Sequence, residues 1–130
     1  MITVKSVNVI LIQGVFFFVQ RGKKYLLRSY HFSGAIFPDA DNGEVLSGRL
    51  ADKFGESKMT DIVFGEDGFG EKVFMFTKTY PGQPEIKYFF KKSSKHPDIW
   101  VGEYEGKKVG KGRAHCLATT VTEDFLNPCL

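Results

Sequence analysis

Apolar and polar residues alternate in short runs along this chain, and clusters of turn-forming residues interrupt the runs at close intervals. "EIKYFF" sets Ile86, Tyr88 and Phe90 against Lys87 and Phe89, the period of a strand with one buried face. "FMFTKTY" places Phe74, Phe76, Lys78 and Tyr80 on one side and Met75, Thr77 and Thr79 on the other. "KMTDIVF" and "EVLSGRLAD" alternate less cleanly, with small residues interspersed. Between the runs lie "QRGKK", "PDADNG", "DKFGES", "GEDGFG", "PGQP", "SSKHPD" and "EGKKVG". These are rich in Gly, Pro, Asn and Asp, which pre-set or tolerate turn backbone angles. In "YPGQP", Pro81 and Gly82 suit the central positions of a type II turn.

The pattern predicts eight extended segments, at 4–19, 24–37, 44–52, 57–64, 71–80, 85–92, 98–105 and 109–121. The first is nearly all apolar, but its Val and Ile content and an internal Gly14 favour a long strand with a kink or bulge over a buried helix. A helical signal remains in "TVTEDFL", where Thr122 is placed to cap a single turn. Short gaps make neighbouring strands antiparallel. An eight-strand meander removes its unpaired edges by closing on itself. The expected fold is therefore all-β: one antiparallel meander barrel of about eight strands over residues 1–130, with a short C-terminal helical turn.

Composition sharpens this picture. The 130 residues include 13 Phe and 5 Tyr against a single Trp, and rings pack well on pleated surfaces. The net charge of +3 is too small to argue for nucleic acid without a clustered patch. Its distribution is blocky. Before Asp39 there are five bases and no acids, from Asp39 to Glu71 nine carboxylates face three bases, and from Lys72 to Arg113 the balance is basic again. Such blocks suit pairing across neighbouring strands. The lysines of "KYFFKKSSKH" and "GKKVGKGR" gather at hairpin tips without an RNA-binding signature, so nucleic acid is not the expected partner. The apolar run from Val7 to Val19 is too short for a membrane-spanning helix and has no charged leader, which leaves the cytoplasm as the default compartment. Cys116 and Cys129 make neither a disulfide framework nor a metal site, and a bridge between them stays open.

The segments "VLSGRLADKFGESKMTDIVF", "FTKTY", "EIKYFF", "IWVGEYEG" and "GKGRAHC" carry a strand and glycine-turn pattern that resembles the calycin-like barrels, the lipocalin-like and avidin-like proteins and their small bacterial members. The resemblance spans residues 44 to 116. It implies a barrel with room for a central cavity, and no chemistry. Trp100 stands late in the chain, in "IWVGEY", rather than in the first-strand Gly-x-Trp usual in lipocalins.

Catalytic and metal chemistry find little support. "GEDGFG" has three glycines but no following helix to cradle phosphate. His31, His96 and His115 lack ligand spacing, and His115 alternates away from Cys116. Glu103 and Glu105 share a face that fits a solvated outer wall, which turns Trp100, Gly102 and Tyr104 inward. Gly102 there serves barrel curvature or leaves space for a ligand. Lys78 is the anomaly, a lysine in step with three aromatic rings. Two arrangements accommodate it: the stem packed on rings at the barrel mouth with the ammonium in water, or an anchor for an anionic head group with tyrosine hydroxyls beside it.

The resulting expectation is a ligand-binding barrel without a cofactor, metal or catalytic step. Its site comprises Lys78, Tyr80, Tyr88, Trp100 and Tyr104, holding a small apolar or anionic molecule in the mouth or cavity. The alternatives are an isomerase- or cyclase-type enzyme using the same cavity, and a protein-interaction barrel with a filled core, dimeric through the apolar first strand.

Overall fold

The computed structural model describes residues 2–20, 26–38 and 46–128. Eight strands run through them: β1 (Ile2–Gln20), β2 (Leu26–Pro38), β3 (Leu46–Asp52), β4 (Gly55–Glu66), β5 (Lys72–Thr79), β6 (Ile86–Lys92), β7 (Ile99–Gly106) and β8 (Gly110–Pro128). Each pairs antiparallel with the next, and β1 pairs with β8, so the sheet closes into a barrel in simple chain order. The turns expected at "QRGKK" and "PDADNG" lie, apart from Gln20 and Pro38, outside the described residues, as does Cys129.

Strand parity sorts the side chains as period-two alternation requires. On β6, Ile86, Tyr88 and Phe90 are buried while Lys87, Phe89 and Lys91 are exposed. Outside, β6, β7 and β8 set opposite charges side by side. Glu105 stands opposite both Lys87 and Lys111, and Glu103 opposite Arg113. The basic block of the sequence is thus interleaved with carboxylates rather than gathered into one patch.

The uneven alternation of "KMTDIVF" has a structural cause. β4 slips against β5 between Thr60 and Val63, and Asp61 there takes a φ of 51°. The extra residue reverses parity. Ser57 and Met59 point inward before the bulge, and Ile62 packs on the core after it, with the partly exposed Phe64 two residues on and opposite Phe74. Phe64 thereby reaches Phe74, stacking at 4.2 Å between ring centroids.

One expectation is corrected. "TVTEDFL" forms no helical turn; Thr120 to Leu126 belong to β8 and pair with residues 4–10 of β1. Cross-strand hydrogen bonds to a long apolar partner outweigh a lone capping residue, and the Thr-Val-Thr start suits a strand. The "PGQP" turn forms as expected, with Gln83 N–H donating to Tyr80 O at 3.0 Å and Gly82 at a φ of 71°.

Rings occupy the lumen from end to end. Trp100 meets Phe74 at 5.8 Å, Phe74 meets Phe76 at 5.2 Å, and Phe76 stacks on Tyr88 at 4.8 Å. Tyr88 continues to Tyr104 at 5.6 Å, and Tyr104 to Phe16 at 6.0 Å. Each buried ring contributes about 1.5–3 kcal/mol relative to exposure. Gly102 serves curvature, since a Cβ there would lie 1.9 Å from Phe89 O and 2.7 Å from Phe90 Cα. Both contacts are backbone and cannot swing aside. Gly102→Ala is expected to lower stability by about 1–3 kcal/mol in denaturant unfolding. An unchanged midpoint would mean that β6 and β7 part freely at this point.

Candidate functional site

One end of the barrel carries the β3–β4, β5–β6 and β7–β8 turns, and most of the polar groups of the lumen gather there. β5 brings Lys78 inward as the last such residue of a strand whose earlier inward positions are Phe74 and Phe76. The lysine side chain is 1% exposed, and the Asp52 side chain beside it 0%. Lys78 Nζ donates to Asp52 Oδ2 at 2.9 Å and to the Tyr88 hydroxyl oxygen at 3.3 Å. The Tyr80 hydroxyl donates to the same carboxylate oxygen. Phe54 N–H donates to Asp52 Oδ1 at 2.8 Å, so the carboxylate also ties down the two-residue turn that follows it. Around the ammonium stand the rings of Tyr80, Phe16 and Tyr88, with centroids 4.6, 4.8 and 5.4 Å from Nζ. A cation in such a box gains from the ring quadrupoles as well as from its counter-ion.

Lys78 therefore fits neither arrangement drawn from sequence. Its ammonium is not in water, and the anion it holds is supplied by the chain itself. The residue that sequence reasoning missed is Asp52, read there only as a turn former. A signal was present: Gly48 and Leu50 point inward, and period two carries that face to Asp52.

Burial is the main influence on the titration of Lys78, Tyr80, Tyr88 and Tyr104. It pulls the Lys78 ammonium below the ordinary lysine value, against the opposing hydrogen bond and charge of Asp52. It pushes the Tyr80 and Tyr88 hydroxyls far above theirs, Tyr80 further through its hydrogen bond to Asp52 and Tyr88 through the neighbouring Tyr104 and Asp52. Tyr104 is raised by burial, and its hydroxyl donates to Phe17 O at 2.6 Å. All three tyrosines are held as neutral hydroxyls.

Four of the five expected site residues thus meet: Lys78, Tyr80, Tyr88 and Tyr104. Trp100 lies at the opposite end, against Phe64 and Phe74, with Lys92 Nζ 5.7 Å from its ring. Cys116 faces inward near Trp100, burial pushing its thiol up to about 12. His31 and His115 both pair with Val15 on the outer wall, from the strands on either side of it.

Open space is present at the mouth. Between the β5–β6 and β7–β8 turns is a cleft of about 80 Å³ with Tyr80, Pro84, Ile86 and Val109 as apolar lining. Lys107 and Lys108 stand at its rim against a single carboxylate, Glu85, and Lys108 Nζ donates to Gln83 Oε1 at 3.0 Å. Pro84, Glu85 and Lys107 also line a wider outer groove with Lys87, Glu105 and Gly106, so the two spaces adjoin. Among the described residues no helix is long and apolar enough to cross a membrane. Comparison with known proteins found no matching family model, no matching curated protein and no matching solved structure.

Proposed function

We propose that this chain is a one-domain, calycin-like binding barrel that holds a small anionic amphiphile at its mouth, without a catalytic step in that binding. The observation that carries the reading is the cleft between the β5–β6 and β7–β8 turns, where two ammonium groups overhang an apolar floor with one carboxylate against them. Its 80 Å³ corresponds to roughly three waters of the bulk liquid, enough for a head group and the first carbons of a chain. The remainder of a ligand has the adjoining groove to follow. Tyr80 forms the wall between the cleft and the buried polar cluster, which keeps Lys78, Tyr88 and Tyr104 in a supporting role.

Titration of the labelled chain with butanoate tests this by amide NMR. Shifts are expected at residues 85–86 and 106–109, with none from butan-1-ol at equal concentration. Trp100 fluorescence is expected to stay constant, because the indole is at the far end. Replacing both Lys107 and Lys108 by Gln removes two exposed charge contacts of about 0.7 kcal/mol each, a roughly tenfold loss of affinity. Equal binding of the alcohol, or an unaffected double variant, removes the anionic reading.

The filled lumen favours a second reading, a protein-interaction barrel. Leu11 and Leu117 remain exposed on the outer faces of the paired strands β1 and β8 and would supply its contact surface. A concentration-dependent mass with no response to small carboxylates would select it.

A further inference from the structure

The polar cluster behind Tyr80 contains a group that ligand binding at the mouth does not use: a primary amine held in an apolar box beside a carboxylate and two tyrosine hydroxyls. We propose that Lys78 is an imine-forming amine that condenses with small aldehydes admitted at the mouth past Tyr80. The inference goes beyond the carboxylate-binding reading and does not rest on it.

Three observations carry it. The first is the arrangement around Nζ. Asp52 Oδ2 at 2.9 Å is placed to take a proton from the ammonium, and the Tyr88 hydroxyl at 3.3 Å is placed to hydrogen-bond a carbonyl oxygen there. The second is the surroundings. The rings of Phe16, Tyr80 and Tyr88 exclude bulk water from the position where a carbinolamine must lose water and an imine must resist hydrolysis. The third is access. Tyr80 lines the mouth cleft and also has its ring centroid 4.6 Å from Nζ, so one side chain separates the amine from open space. Phe54, 58% exposed in the two-residue β3–β4 turn, closes over Phe16 and Tyr30 on the adjoining side. Burial, which pulls the ammonium below the ordinary lysine value, adds to the fraction of reactive free amine at neutral pH.

The chemistry balances without an outside reagent. Lys78 passes one proton to Asp52, and the free amine forms an N–C bond to the aldehyde carbon as the C=O π pair moves onto oxygen. A proton moves from nitrogen to that oxygen, with the Tyr88 hydroxyl bridging, to give the carbinolamine. The Asp52 acid then returns its proton to the hydroxyl, which leaves as water, and the nitrogen lone pair closes the C=N bond. One ammonium and one aldehyde become one iminium and one water, and the iminium pairs with the restored Asp52 carboxylate.

The test is reductive trapping of the full chain with propanal and cyanoborohydride at pH 6, followed by peptide mapping. Ordinary exposed lysines are almost wholly protonated at that pH and react slowly. Lys78 is expected to be propylated at least about tenfold faster than the exposed Lys58 and Lys72. A rate no faster than theirs overturns the proposal. Tyr88→Phe, which keeps the ring and its packing, is expected to slow Lys78 severalfold without changing the exposed lysines; an unchanged Lys78 rate overturns the assigned role of the hydroxyl. Propanal carries no charge, so the Lys107→Gln/Lys108→Gln variant is expected to label at Lys78 as the parent does. Normal Lys78 labelling in a protein that ignores butanoate would leave this inference standing without the carboxylate reading, and the converse pair of results would do the reverse.

Discussion

Replacing Asp52 by alanine is expected to destabilise the barrel by about 3–5 kcal/mol, the cost of leaving a buried charge without its partner. The substitution strips Lys78 Nζ of its carboxylate and leaves it one long hydrogen bond to Tyr88 and the faces of three rings. It also removes the acceptor of the Tyr80 hydroxyl and of Phe54 N–H, so the β3–β4 turn loses its tie to β5. Lys78→Met is the milder change. Asp52 then keeps Tyr80 and Phe54 as donors, and the methionine fills the lysine stem's volume without a charge. The double variant Asp52→Leu/Lys78→Met is expected to return most of the loss, because an apolar pair of similar volume is often neutral in place of a buried ion pair. Guanidinium unfolding at pH 7 of the parent, Asp52→Leu, Lys78→Met and their double variant gives the coupling energy. A single-variant cost for Asp52→Ala under about 1 kcal/mol would mean that water reaches this ammonium.

Why sequence reading found the lysine and not its partner follows from what alternation encodes. Period two tells which face of a strand a residue occupies, and it placed Phe74, Phe76, Lys78, Tyr88, Phe90, Trp100 and Tyr104 correctly on the lumen side. It says nothing of height along the barrel axis, which depends on register and strand tilt. Trp100 and Tyr104 are four residues apart on β7 and share a face, yet one reaches Phe64 at the far end and the other Phe16 near the mouth. Grouping them in one site was therefore beyond the reach of parity. Asp52 was obscured for a different reason: aspartate before a tight turn is common for local hydrogen bonding alone, and its Oδ1 does bind Phe54 N–H in that manner. Only the second oxygen, paired 26 residues away, makes it the hub of the cluster. The Asp61 bulge and the C-terminal extension of β8 were likewise set by cross-strand partners rather than by local propensity.

A second large effect is expected on the alkaline side, where stability should fall steeply above about pH 10. Lys78 and the other buried groups act with opposite signs. Because its folded value is lowered, Lys78 binds fewer protons in the folded chain than in the unfolded one at any pH between that value and 10.5, so it adds stability as pH rises through this window. Cys116 does the reverse. Its thiol is pushed from 9.0 up to about 12, the folded chain retains a proton that the unfolded chain releases, and stability falls across those three units by about 4 kcal/mol. Below pH 10.5 the two act against each other. From about pH 10 the unfolded tyrosines ionise while Tyr88, and to a lesser degree the more accessible Tyr80 and Tyr104, keep their protons in the lumen. Cys116 and Tyr88 alone then give a slope of about 2.7 kcal/mol per pH unit, two protons' worth. Denaturant midpoints measured from pH 8 to 12 should trace this drop, and Cys116→Ala should make it shallower by about one proton. Stability that stays level from pH 10 to 12 would place the Tyr88 hydroxyl in contact with solvent, and with it the aromatic box on which the buried ion pair depends.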